Sequence, residues 1–481
     1  MKNNFLKQDL SNYQFLPEWG RAAYFYTYYA CVHQCYSSQH SKWSVNLGIL
    51  AVLKNHFMQG SFVVKNTSEF APYLDRFLKD FSMLDELHTY ITLECEKTVS
   101  RLQSTDIKGL SDKELADCMA WYYKRYDLQM IPATNMRGCD RALIPKLREL
   151  FSKEADSDNC IAIASVADNL SFGLEEEVEL LKLASKIDTG KVAREGEAFK
   201  QALQKIHDSY TWSVLGYFNE QPKSINDYEN KIKVFLSENP SEYLKKLLEK
   251  IENEHTHRKT LENKYSGEGK RLIQLASRIS YLKDYFKSSI NKVQYFAEPM
   301  FQEVAKRTGK SVGFIKDLVW EETPRLIMGK VIDDKLVLDR AQYSIVLTAG
   351  GEIFTLVGSE AKDFEKKYLE ADLSVTQFKG RVACRGRATG RVKVIFGPGD
   401  FHKLDEGDIL VVANTSPDFV PIMRKASAIV AEEGGLTAHV SVVSREFGIP
   451  CIVGVSHITK ILKDGDMVEV DANTGVVRII K

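Results

Sequence analysis

The sequence carries no net charge. Its 481 residues hold 65 lysines and arginines against 65 aspartates and glutamates, so no basic field draws the chain to nucleic acid or to an anionic membrane. It has no apolar run near the roughly 18 to 20 residues of a membrane-spanning helix, and its opening stretch Met1 to Asp9 lacks the apolar core of a signal peptide. The eight cysteines are scattered (31, 35, 95, 118, 139, 160, 384 and 451). Only Cys31 and Cys35 lie close, at a spacing that fits one helical face better than a metal knuckle or a redox pair. There is no internal repeat and no Gly-x-x-x-x-Gly-Lys loop; Gly267-Glu268-Gly269-Lys270 is too short and reads as a solvated loop. His255-Thr256-His257 has no carboxylate frame and reads as a solvated helix face, so no metal site is expected. Together these absences lead us to expect a cytoplasmic protein with reduced thiols that binds neither nucleic acid nor membrane.

A hydrophobic content of 44% and a charged content of 27% are ordinary for a globular protein, and the length allows two to four domains. Residues 1–300 read as mainly helical, a candidate region for binding an acceptor or partner. Trp19 to Tyr29 is dense in aromatics, which argues for core. Ser111-Asp112-Lys113-Glu114 is a capping box followed by Leu115, Met119, Tyr122 and Tyr126 at helical spacing. Asn239-Pro240-Ser241-Glu242 opens another helix. Leu272, Leu275, Ile279, Leu282, Phe286, Ile290 and Val293 form one apolar seam, the core face of a long helix. Asp156 to Asn159 and Glu220 to Lys223 read as short polar loops, and Trp212 to Phe218 reads as buried aromatic packing more than as a pocket wall.

Residues 301–375 read as a mixed connecting region. Ser311 can cap a short helix through Val319, with Pro324 at its exit. Lys335–Leu338, Tyr343–Leu347 and Glu352–Val357 read as strands, with Gly350-Gly351 as the hairpin turn between the last two. A polar helix at 361–369 and a linker at 370–377 follow, the stretch about 370–379 being a candidate hinge. From 376 to 481 short strands alternate with helices at about 417–425, 437–447 and 456–463, which makes an α/β domain of about 100 residues. The expected fold class is therefore multidomain, a mostly α-helical N-terminal region followed by a C-terminal α/β domain.

The most specific stretch is Glu432 to His439. It places a histidine just after a glycine pair and just inside a helix that Gly448 should stop. Backbone N–H groups without helical partners, and the positive end of the helix dipole, suit a phosphate on or near that ring. His439 is thus a candidate phosphorylated residue.

The C-terminal hundred residues resemble the mobile phosphohistidine domain, or swivelling domain, of the phosphoenolpyruvate-utilising enzymes. The resemblance rests on an in-order set: Gly386 with Thr389-Gly390-Arg391-Val392, Gly407 to Val411, Thr415-Ser416-Pro417-Asp418, Ala428-Ile429-Val430, Gly434 to His439, Ser444 to Gly454 and Asp464-Gly465-Asp466. Residues about 265 to 375 resemble more loosely the helical segment before this domain in the phosphoenolpyruvate synthase and rifampin phosphotransferase branch. The resemblance implies that His439 is the phosphorylated nucleophile. It implies phosphate-binding or supporting roles for Gly434, Gly435, Thr437 and Arg445. For Arg445, six residues beyond the histidine, a structural ion pair and a phosphate contact stay open. No stretch resembles an ATP-grasp domain, nor the phosphoenolpyruvate-binding barrel with its catalytic cysteine; Cys384 and Cys451 belong to the histidine domain and do not take that part.

The function implied is a dikinase-like phosphotransferase or phosphocarrier subunit. It would relay a phosphoryl group through His439 to an unidentified small-molecule or protein acceptor. No bound cofactor is expected on this chain; ATP and Mg2+ would enter through a separate ATP-grasp protein. The alternative is a non-catalytic interaction or regulatory protein that uses the histidine domain for phosphate-dependent binding. A carrier charged by phosphoenolpyruvate fits less well without the barrel.

Overall fold

Three strands near the N-terminus, β1 (Gln14–Ala22), β2 (Gly48–Lys54) and β3 (Phe57–Val64), open the computed structural model of the chain. It describes residues 13–22, 48–54, 57–194, 196–215, 221–349, 352–369, 375–415, 419–432, 439–455 and 458–480. Two compact units divide the chain: 1–69 with 313–481, and 70–312. The strand β1 lies in the region 1–300 that reads as mainly helical; it is a strand because its backbone is paired antiparallel with β3 from Gln14↔Val64 to Ala22↔Phe57. Tertiary pairing overrides local texture here. Residues 23–47, with the rest of the aromatic run and with Cys31 and Cys35, lie outside the described residues.

The unit 70–312 is helical. Its elements are α1 (Ala71–Lys79), α2 (Ser82–Ser104), α3 (Asp112–Leu150), α4 (Ser157–Ala164), α5 (Phe172–Asp188), α6 (Glu197–Tyr210), α7 (Ile225–Ser237), α8 (Pro240–Asn263) and α9 (Gly267–Thr308). The capping box at the start of α3 forms: Ser111 Oγ accepts from Glu114 N at 3.3 Å, and Glu114 accepts from Ser111 N at 2.8 Å. Asn239 likewise caps α8 through Glu242 N at 3.2 Å. Pro132 and Pro145 lie inside α3 without ending it. Each removes one backbone bond, yet Met130 through Met136 are all buried, so packing holds the helix through the first break.

The seam of α9 is buried as the spacing predicts, at Leu272, Leu275, Ile279, Leu282, Phe286, Ile290 and Val293. Further along the same helix, Phe301 meets Tyr122 and Tyr123 edge-on, at ring distances of 5.8 and 6.4 Å. A second cluster joins α5, α6 and α7 through Leu180, Leu181, Phe199, Leu203, Tyr228, Ile232 and Phe235.

Two expected loops are helix starts. Asp156 caps α4 by accepting from Asn159 N at 3.1 Å. Gly267 to Lys270 form the first turn of α9; glycine is a poor helix former, but a Cβ on Gly269 would lie 3.0 Å from Leu150 Cδ1, so close packing selects it. Trp212 and Leu215 are buried, with Trp212 tilted on Phe172 at 5.6 Å, while residues 216–220 lie outside the described set. His255 and His257 lie on α8, the latter exposed.

The other unit contains two sheets. After α10 (Val312–Lys316), α11 (Glu322–Ile327) and α12 (Asp334–Gln342) come β4 (Tyr343–Ala349), β5 (Glu352–Val357) and α13 (Ser359–Tyr368). The first sheet is antiparallel in the order β1-β3-β2-β4-β5. Its face is covered by α13, with Ala361 and Phe364 on Leu50, Val52, Ile345, Leu347 and Leu356. The expected hairpin β4–β5 forms, its turn residues 350–351 lying outside the described set.

Three expectations fail in this region. Lys335–Leu338 is helical, because Asp333 caps it through Lys335 N and Leu336 N at 3.0 and 3.2 Å. Its burial also follows a helical period: Val337 and Ala341 are inside, Leu336 and Leu338 outside. The Ser311 helix ends by Lys316, short of Val319. Pro324 sits in the first turn of α11, where a missing N–H costs no helical bond.

The second sheet comprises β6 (Gln377–Lys379), β7 (Arg381–Cys384), β8 (Arg387–Ile395), β9 (Ile409–Val412), β10 (Ala428–Ala431), β11 (Cys451–Val453), β12 (Met467–Asp471) and β13 (Val476–Ile480). Its order is β6-β13-β12-β8-β9-β10-β11-β7. The four central strands β8 to β11 run parallel, and the flanking pairs are antiparallel. Every residue of β9, β10 and β11 is buried, as expected for parallel strands covered on both faces. Short helices α14 (Val420–Met423), α15 (His439–Phe447) and α16 (Ile458–Ile461) fall within the three expected helical stretches.

Gly475 closes the β12–β13 hairpin at φ +74°, and a Cβ there would lie 2.5 Å from the Gly380 carbonyl oxygen. We expect Gly475→Ala to destabilise this domain by roughly 1–3 kcal/mol, while Gly399→Ala, with open space around it, stays within about 0.5 kcal/mol. Chemical denaturation of the two variants checks this. Phe301→Ala should lower the stability of the helical unit by about 3–5 kcal/mol, read as an earlier loss of helical circular dichroism.

Candidate functional site

The parallel neighbours β10 and β11 are joined by a crossover that contains α15. A parallel connection must return the chain over the sheet, so the helix begins beyond the carboxyl end of β10 and runs back. His439 is the first residue of that helix. Its backbone therefore sits where the first-turn N–H groups have no intrahelical acceptor. Gly434, Gly435 and Thr437 lie outside the described residues. So do 416–418 and 456–457, which follow β9 and β11 as 433–438 follow β10. Among the described residues, Ala413, Glu432 and Gly454 leave the carboxyl ends of three adjacent parallel strands, the edge at which open α/β sheets hold ligands.

The helix is fixed from below. Val440, Ser441, Val443 and Ser444 are buried, a three- and four-residue spacing that turns one face to the protein. At its end Gly448 adopts φ +67°, its N–H donates to Arg445 O at 3.3 Å, and Ile449 N donates to Ser444 O at 2.9 Å. This Schellman arrangement is the stop that Gly448 predicts. Arg445 Nη1 donates to the Ala383 carbonyl on β7 at 3.4 Å, tying the helix to the edge strand of its own domain. This contact ties Arg445 to its own domain, six residues beyond His439 along α15.

The base of the histidine segment is fixed by a residue without an assigned role in the sequence. Glu432 is buried, its N–H donates to Val412 O at 3.0 Å, and its Oε1 accepts from Thr459 N at 2.9 Å and Thr459 Oγ1 at 2.5 Å. A carboxylate directly after the apolar strand Ala428–Ala431 and before a glycine pair was the available signal. Its partner lies 27 residues on, which the sequence does not reveal.

The domain's cysteines are poor nucleophiles. Burial pushes the Cys451 thiol up to about 12, against the opposing pull of a Ser444 hydrogen bond and, more weakly, of Arg445. Burial also raises Cys384, with Arg445 pulling the other way. Thiols held protonated attack slowly. Among the described residues no group of three or more His, Cys, Asp or Glu side chains could hold a metal ion. No helix among them is long and apolar enough to cross a membrane.

Comparison with known proteins places this domain. The sequence model of the PEP-utilising enzyme mobile domain matches residues 404–475. A probable phosphoenolpyruvate synthase of Archaeoglobus fulgidus is 41% identical over 165 residues, 33% of this chain and 22% of that protein. The phosphoenolpyruvate synthase of Aeropyrum pernix is 51% identical over 100 residues, 21% of this chain and 12% of that protein. A rifampicin phosphotransferase of Bacillus cereus is 28% identical over 318 residues, which cover 59% of this chain and 35% of that protein. The chain thus spans between an eighth and about a third of the length of these curated relatives. The C-terminal α/β domain, whose parallel strands carry His439 at the start of α15, is thus similar to the mobile domain of PEP-utilising enzymes.

Proposed function

We propose that the protein is a phosphotransferase or phosphocarrier subunit in which His439 takes a phosphoryl group and passes it on. The observation that carries this reading is the placement of a histidine at the N-terminus of α15, within a stretch matched by the mobile-domain family. An imidazole nitrogen attacks phosphorus, a P–N bond forms, and the P–O bond to the donor's leaving group breaks. An acceptor oxygen then attacks, loses its proton, and the P–N bond breaks. Neutral imidazole suits both halves, since one nitrogen reacts while the other can hold a hydrogen bond.

Free first-turn N–H groups stabilise the phosphate on the ring, and Gly434 and Gly435 let backbone approach it. Thr437 supplies a hydroxyl to the helix start or the phosphate. Arg445 is a supporting residue that keeps α15 seated through Ala383.

The donor in this reading is ATP with Mg2+, held by a separate ATP-grasp protein. No described side-chain cluster here suits the metal, and no step on this chain is routed through it. The helical unit presents the acceptor, a small molecule or a protein. A relative named for phosphotransfer to rifampicin, matched over 59% of this chain, is what suggests looking for an acceptor on the chain itself.

Incubation with radiolabelled ATP and an ATP-grasp protein encoded beside this one should give stoichiometric, acid-labile label. That label should vanish in His439→Ala and persist in a Cys384→Ser variant. Label retained by His439→Ala would remove His439 from the pathway. A wild-type protein that never labels, yet binds a phosphorylated partner, would favour the non-catalytic binding module.

A further inference from the structure

The mobile domain is tied to the neighbouring sheet by an ion pair that crosses the candidate hinge. Lys460 of α16, inside the matched 404–475 stretch, places Nζ 3.0 Å from Glu365 Oε1. Glu365 belongs to α13, which is packed on the five-stranded sheet and precedes residue 370, where the candidate hinge begins. Its other oxygen, Oε2, accepts from the Tyr343 hydroxyl at the start of β4, so the carboxylate is aimed by the sheet that carries it. The two side chains are 33% and 16% exposed, which leaves the pair within reach of water. Beside Lys460, Thr459 holds the buried Glu432 at the base of the histidine segment.

We propose that Glu365 and Lys460 form a latch that parks the mobile domain against the five-stranded sheet, in one of the positions the domain visits. A partly exposed pair is individually weak, which suits a contact that must be made and released. The pair is charged on both sides, so release costs little: each group regains water. Tyr343 pre-orients the fixed half and reduces the side-chain ordering needed at each closure. Because Thr459 and Lys460 are consecutive, a closed latch also steadies the helix that clamps Glu432. The latch rests on reading the C-terminal domain as a moving carrier, but its test needs no phosphorylation and so separates the two.

Hydrogen–deuterium exchange on the full chain reads the latch directly. In Glu365→Gln and in Lys460→Gln, amides of α13 and α16 should exchange about two- to five-fold faster. Amides of β9, β10 and β4 should keep their wild-type rates. The charge-reversed double variant Glu365→Lys with Lys460→Glu should return both helices toward wild-type protection, and Tyr343→Phe should give a smaller increase than Glu365→Gln. Unchanged exchange in both single variants, or an increase that the double variant fails to reverse, would overturn the latch.

Discussion

The constraint on which the C-terminal domain depends is the parallel pairing of β10 with both β9 and β11. Parallel neighbours cannot be joined by a tight turn. The chain must leave β10 at its carboxyl end, build a helix, and return to the other end to start β11. That requirement alone places the N-terminus of α15 near the carboxyl edge of the sheet, and with it the backbone of His439. Burial of every residue of β9, β10 and β11 makes the strand directions costly to change, since no polar face remains for an alternative register. The histidine's position is thus a consequence of topology, and the glycine at 448 and the Ala383 tie at Arg445 only trim the helix to length and tilt.

The central strands were legible because buried parallel strands write themselves as short unbroken apolar runs, such as Ala428-Ile429-Val430-Ala431 and Ile409-Leu410-Val411-Val412. Long helices were legible for the complementary reason: the α9 seam repeats at helical spacing over six turns. The N-terminal strands were not. Ile49 N donates to Thr348 Oγ1 at 3.2 Å across 299 residues of sequence, and β2 is paired throughout with β4. No local pattern encodes a partner that distant, so the first sheet is assembled from two segments far apart in the chain and its N-terminal half reads ambiguously. Lys335–Leu338 failed in the opposite way, since a short β-rich run gave a strand while one capping carboxylate, Asp333, decided for helix.

At the candidate site the sequence revealed the residues whose type is diagnostic and missed those whose partners are remote. A histidine after paired glycines is a weak signal by itself, and it is the in-order frame of motifs from Gly386 to Asp466 that makes it specific. Glu432 does not stand out, because a buried carboxylate acquires meaning only from Thr459, and Thr459 only from the fold. Arg445 shows the limit from the other side. Its charge suggests an anion, while one contact it makes is to a backbone carbonyl on β7, a partner 62 residues away that no local pattern encodes.

The same electrostatics favour imidazole as the nucleophile in the proposed transfer. Among the side chains of this domain, Cys384 and Cys451 are the thiols that could rival His439 in attack on phosphorus. Burial holds both thiols protonated, Cys451 up to about 12, so neither offers a thiolate near neutral pH. An imidazole needs no such ionisation, because its neutral form already carries a lone pair. In the proposed transfer, a helix N-terminus that would stabilise an anionic thiolate instead meets a residue whose phosphorylated ring would be the anion. The dipole would therefore act on the phosphorylated ring more than on the unmodified one, the sense that transfer requires.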